Sequence, residues 1–174
     1  YPSVQLEFLT AATGADGTLT QVTTDAGETW PVLNDHSSFR STPDSLLRIV
    51  SNYLITPDAA GRQGAELYAV RKAIAPLPKP AAEFDQGIKT DGAELLSSWM
   101  GNGYFNLLFT IKQQSKTHRF HFVEQEVTYD EATGRCRLSL LLYHDADDDV
   151  EAYSARAYLS VPLSHYLIAG ITQI

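Results

Sequence analysis

Apolar side chains recur at every second position through much of this chain. In residues 104–112 they are Phe105, Leu107, Phe109 and Ile111; in residues 135–144, Cys136, Leu138, Leu140 and Leu142; in residues 152–161, Ala155, Ala157, Leu159 and Val161. A β-strand points successive side chains to opposite faces, so a period of two gathers each set on one face. Long helical periodicity is nearly absent. The pattern predicts an all-β protein whose strands each bury one side.

The first half divides into five short strands, residues 4–12, 19–24, 28–33, 46–56 and 65–75. In the first, Val4, Leu6 and Phe8 fall on one side. Glycine-bearing turns at residues 13–18 and 25–27 separate the early strands, because glycine accepts a positive φ. Pro31 places the third strand at an edge or a bulge. Five strands in under eighty residues is the count of a small OB-like barrel. Pro76, Pro78 and Pro80 then stand at alternate positions, which favours an extended, stiff segment. The expected division is an OB-like barrel over 1–80, a linker over 81–92 and an antiparallel β-sandwich over 93–174.

In the second half, residues 93–100 fit either a helical turn or a first strand. Residues 117–128 carry His118, Phe120 and Phe122 on one face and His121, Val123 and Val127 on the other. Residues 129–135 give the strongest hairpin signal, with an acidic residue opening a type I turn and Gly134 at the left-handed bulge position. A final apolar segment spans 167–174. Hairpin-linked strands with one apolar face pack best as two antiparallel sheets.

Charge narrows the function. The net charge is −8, and both halves share it: six Lys/Arg against ten Asp/Glu in residues 1–86, seven against eleven in 87–174. Neither half is a basic module, so nucleic acid is not an expected partner and an anionic membrane surface is disfavoured. No apolar run approaches the ~20 residues that span a bilayer. The chain opens at Tyr1 without a signal peptide, as a mature exported protein or a trimmed chain does. Cys136 is the single cysteine and shares its face with three leucines, the setting of a small buried apolar residue rather than a reactive thiol.

The acidic run Asp145, Asp147, Asp148, Asp149 and Glu151 is the one candidate for cation chemistry. Alternate oxygens at Asp145, Asp147 and Asp149 suit calcium, but an EF-hand loop needs glycine sixth and glutamate twelfth, where this chain has Val150 and Arg156. A solvated hairpin tip is the expected reading. Of the five histidines, His36, His118, His121, His144 and His165, the pair three apart would sit on opposite faces of a strand. His144 and Asp145, adjacent in sequence, point apart for the same reason. Gly101-Asn102-Gly103 begins like a dinucleotide fingerprint but leads into a strand and lacks the third glycine. Trp30, Trp99, Tyr53, Tyr68, Tyr104 and Tyr158 are read as core or domain-interface aromatics, with a peptide or carbohydrate platform as the other possibility. No catalytic, cofactor or metal residues are assigned.

The stretch Trp99-Met100-Gly101-Asn102-Gly103-Tyr104-Phe105-Asn106-Leu107, then Lys116-Thr117-His118-Arg119-Phe120-His121-Phe122, residues 138–149 and Tyr158-Leu159-Ser160-Val161-Pro162-Leu163, resembles the NigD-like proteins of Bacteroidetes. The resemblance implies an N-terminal OB-like domain and a C-terminal β-sandwich. It implies an exported lipoprotein held by an N-terminal lipidated cysteine, an element this chain does not contain. It also implies an immunity or accessory role linked to a bacteriocin, and it carries no catalytic residues. The expected function is therefore a non-enzymatic cell-envelope binding protein with a protein, peptide or glycan partner. The competing readings are a metal- or carboxylate-dependent hydrolase using residues 145–149, and an oligonucleotide binder using the barrel.

Overall fold

The computed structural model describes residues 5–174, so Val4, the expected start of the first strand, lies outside the described residues. The chain forms two compact units, Tyr1–Ala73 and Ile74–Ile174. Both are built of strands, as the period-two pattern predicts.

The first unit is a closed five-stranded barrel of β1 (Gln5–Thr13), β2 (Leu19–Thr24), β3 (Thr29–Asp35), β4 (Leu46–Pro57) and β5 (Gln63–Lys72). Their order around the barrel is β1-β2-β3-β5-β4, with β4 closing on β1. All pairings are antiparallel except β3 with β5. This is an OB-like arrangement, and closure leaves no sheet edge to protect. Pro31 pairs with Gln21 of β2, and the β3–β5 register begins at Val32 and shifts before Asn34, so the missing N–H falls where that ladder is interrupted.

The barrel interior holds Leu9, Ala11, Leu19, Val22, Ile49, Tyr53, Ala65 and Leu67. In β1 it is therefore Leu9 and Ala11 that face inward. Leu6 is exposed, and Phe8 is buried beneath the Arg48 guanidinium, 5.5 Å above its ring. Arg48 is itself buried and pairs with Asp25 at 2.7 Å. The turn into β2 depends on Gly17, whose φ is +81° and where a Cβ would collide with the Ser41 carbonyl oxygen.

The second unit is a sandwich of two three-stranded sheets. One is β11 (Tyr153–Pro162), β8 (Tyr104–Gln113) and β7 (Glu94–Gly101); the other is β10 (Arg135–Asp145), β9 (Arg119–Asp130) and β6 (Lys79–Pro80). Residues 93–100 thus resolve as strand. Asn102 and Gly103, both at positive φ, make the tight β7–β8 turn. The proline-rich run joins the sheets on one side: Ile74 pairs in parallel with Leu159 of β11, and Lys79 with Val123 of β9. The apolar set 167–174 forms no strand beyond the bridge of Gln173 to Arg135.

Between the sheets lie Leu107, Phe109, Phe122, Cys136, Ala157, Leu159 and Val161, with Phe105, Phe120, Leu138, Leu140 and Leu142 packed against them. The alternation read from sequence positions these residues. One face assignment is corrected. The β9–β10 register passes from Ser139 opposite Glu126 to Leu140 opposite Glu124, so Gln125 bulges and Val127 joins Phe120 and Phe122 on the core side.

Candidate functional site

The acidic loop after β10 is a tied-down corner. The backbone N–H of Gln114 donates to Asp149 Oδ2 at 2.8 Å, those of Ser115 and Val150 donate to Oδ1 at 3.2 and 3.0 Å, and His118 Nε2 lies 3.0 Å from Oδ2. The Asp149 side chain is buried, not solvated as a hairpin tip would be. Backbone amides, chiefly that of Gln114, hold its carboxyl far below the usual carboxylate range. Asp145 accepts from the Asp147 N–H at 2.9 Å. Among the described residues no group of three or more His, Cys, Asp or Glu is placed to hold a metal ion.

Histidines do meet here, but not the pair closest in sequence. His118 Nδ1 is 2.8 Å from His144 Nε2, and His144 Nδ1 donates to the Asp91 carbonyl oxygen at 3.0 Å. His144 also stacks on Phe120 at 4.6 Å. Burial is the main force lowering the pKa of His144. His121 points elsewhere, edge-on to Phe84 and accepting the Phe122 N–H at its Nδ1. His36 stacks on Tyr68 beside Glu66 in the barrel, and His165 lies against Tyr166. Every ring nitrogen of His118 and His144 is engaged, so the cluster braces residues 89–92, 113–118 and 145–150 against one another.

Cys136 is buried in the sandwich core, and burial pushes its thiol pKa up, so it is a packing residue. Tyr53 is buried in the barrel and donates to Glu7 Oε2 at 2.9 Å, while Trp30 is packed against the barrel core. Trp99, expected in a core or interface, is instead 42% exposed on β7.

The most unusual surface is the free side of the sandwich, where β7 ends one sheet and β10 ends the other. Leu95, Ser98 and Met100 of β7 stand opposite Phe109, Leu107 and Phe105 of β8. Directly opposed residues of an antiparallel pair share a face, so these three belong to the core side of their sheet. Yet Leu95 is 52% and Met100 55% exposed, because no strand of the second sheet covers them. Beneath Met100 and Phe105 runs a groove of about 940 Å³, lined further by Cys136, Leu138, Leu140 and Leu163. Leu96 and Trp99 add exposed apolar surface along β7. Sequence reading missed this site because β7 looked ambiguous there; the available signal was the run of large apolar residues, Leu95, Leu96, Trp99 and Met100, broken only by Ser97 and Ser98.

The outer edge of β10 forms the groove's other rim, and this chain already occupies both of its ends. The Cys136 N–H donates to the Gln173 carbonyl at 2.8 Å; at the far end the His144 N–H donates to Lys89 O at 2.9 Å, and the Asp91 N–H to His144 O at 3.0 Å. Gln173 and Thr90 pair in parallel with Arg135 and His144. Arg135 and Arg137, exposed on the opposite face of β10, enter no ion pair among the described residues.

Among the described residues no helix is long and apolar enough to cross a membrane. A search of curated proteins finds no match. Residues 75–169 match the family described as the NigD-like C-terminal beta sandwich domain. A NigD-like immunity protein from Bacteroides caccae is 36% identical, with a TM-score of 0.83 over 99% of this chain and 85% of that one. Two more distant structures share the fold. A candidate toxin-related protein from Parabacteroides distasonis is 16% identical, with a TM-score of 0.67 over 92% of this chain and 78% of its own. A candidate lipoprotein from Bacteroides fragilis is 15% identical, with a TM-score of 0.56 over 92% of this chain and 79% of its own. With its sandwich matched over residues 75–169 and a 36%-identical relative covering both units, the chain belongs to the NigD-like family.

Proposed function

We propose that this chain is a non-enzymatic accessory protein of the immunity type, exported to the cell envelope, which acts by holding a protein partner in the open groove between β7 and β10. The observation that carries the reading is the exposure of Leu95 and Met100 on the core side of their sheet, with Met100 above a groove floored by the sandwich interior. Apolar surface in that position gains most from a covering partner. A protein fits better than a glycan, because the exposed set is aliphatic and thioether as well as aromatic. The buried, mutually bonded state of His118, His144 and Asp149 supports a bracing role for the groups that would otherwise suggest hydrolysis. The immunity role and the envelope placement draw on the names of the Bacteroides caccae and Bacteroides fragilis relatives.

The test is made in the host. A strain lacking the gene is grown in conditioned medium from its parent. The expected result is loss of viability that the wild-type gene restores and a Met100→Glu gene, expressed at the same level, does not. Unchanged growth of the deletion strain in that medium would sink the immunity reading, and full rescue by Met100→Glu would remove the groove from it.

A further inference from the structure

The sandwich lacks one strand where its own geometry provides for one. β10 runs unbroken from Arg135 to Asp145, with its irregularity carried by β9 at Gln125. Its outward N–H groups are therefore those of even-numbered residues, fixed at the two ends by the Cys136 bond to Gln173 and the His144 bond to Lys89. Between them, among the described residues, no backbone hydrogen bond reaches the outer edge from Leu138 to Leu142. The side chains of Leu138, Leu140 and Leu142 turn toward the core. The result is a slot about five residues long, roughly 17 Å at strand spacing, bounded by this chain's own segments at 89–91 and 172–174. A strand laid there would continue the β10 sheet over the groove that Met100 and Phe105 leave open.

The geometry points to an extended segment of the partner protein entering this slot by strand addition to β10. The inference rests on the partner-binding reading and names the chemistry of the ligand. The main chain must supply the donors and acceptors that β10 presents, which selects a polypeptide in β conformation. Every second side chain of that segment is apolar and drops into the groove. Those between lie on the face carrying Arg137, so a carboxylate at that end of the slot gains a cation that enters no ion pair among the described residues. A second copy of this chain is the poorer occupant, because its own β10 is recessed between the same two segments and cannot reach in.

The probe is an end-capped heptapeptide of alternating valine and threonine with glutamate at its centre, titrated into the full chain and followed by amide NMR and hydrogen exchange. A matched peptide, N-methylated at its central residues, keeps the side chains and loses the N–H donors. The expected result is slowing of exchange by about tenfold or more at the Leu138, Leu140 and Leu142 amides with the first peptide and none with the second. Equal binding of the two peptides, or methyl shifts at Met100 without protection of those amides, would overturn strand addition and leave the groove itself as the partner site. Absence of any response at millimolar peptide would also overturn it, while the host challenge judges the immunity reading separately. Concentration-dependent protection of these amides without peptide would overturn the foreign segment in favour of self-pairing.

Discussion

His118 Nδ1 lies 2.8 Å from His144 Nε2, although the two residues are 26 positions apart, one just ahead of β9 and the other near the end of β10. His144 gives its Nδ1–H to the Asp91 carbonyl, so in its neutral form Nε2 accepts and His118 Nδ1 donates. Burial lowers the folded-state pKa of His144 from the ordinary 6.5, with His118 adding repulsion and Asp91 opposing the shift. The unfolded chain therefore binds more protons at this position as the pH drops. Stability is fully present above about pH 6.5 and is lost as the pH falls through the depressed folded value. The urea midpoint should decline between pH 7.5 and 5, and a His144→Gln variant should show a shallower decline across the same window. An unchanged pH profile in the variant would assign the acid sensitivity elsewhere.

Asp149 anchors the β8–β9 turn through the amides of Gln114 and Ser115. Asp149→Ala should speed hydrogen exchange at those two amides while leaving the barrel amides of β1 and β4 untouched. Since its folded pKa is depressed, the wild-type turn should loosen in the same way only well below pH 4. Equal exchange at Gln114 in both proteins would show that the turn stands without the carboxylate.

In the barrel, Asp25 faces the buried Arg48 guanidinium at 2.7 Å. Removing one partner of such a pair costs about 3 kcal/mol, whereas replacing both by apolar residues costs far less. Asp25→Ala should lower the unfolding free energy by that order in chemical denaturation, and the double variant Asp25→Leu/Arg48→Met should recover most of the loss.

Gly17 gives a backbone test. At φ +81°, with the Ser41 carbonyl oxygen filling the space a Cβ would need, Gly17→Ala should destabilise the barrel by roughly 1–3 kcal/mol. Gly27→Ala, also at positive φ but with open space around it, should cost less. Thermal melts of the two variants compare the steric and conformational contributions directly.

Met100 separates binding from folding. With its side chain over open groove, Met100→Glu should change the unfolding free energy by no more than about 0.5 kcal/mol and still abolish partner capture. A large loss of stability would show that Met100 is a core residue in solution.

Much of the fold is legible in residue parity. Phe105, Leu107 and Phe109, and likewise Cys136, Leu138 and Leu140, meet across the sandwich as their spacing requires. Parity fails where both registers are apolar. In β1, Leu6 and Phe8 compete with Leu9 and Ala11, and only closure of the barrel decides that the second pair turns inward. It fails again at Gln125, because a bulge shifts every later side chain to the other face without leaving a glycine or proline to mark it. The histidine cluster was hidden for a related reason: parity sets His118 apart from His121 but says nothing of partners far along the chain, and only the pairing of β9 with β10 brings His118 to His144. The groove left the weakest trace, because a residue's exposure depends on whether a strand faces it, and Met100 carries no sign of a missing neighbour.

The run from Ile74 to Pro80 fastens the two sheets along one flank, and on the other flank residues 89–91 and 173 latch the two ends of β10. Such a sandwich resembles a book bound at its spine and clipped at both corners of the opposite margin. Only the middle of the far margin, in front of Phe105 and Met100, is left without a latch. The length of that unlatched stretch is thus set by the chain's own two clips and not by the sheets they hold.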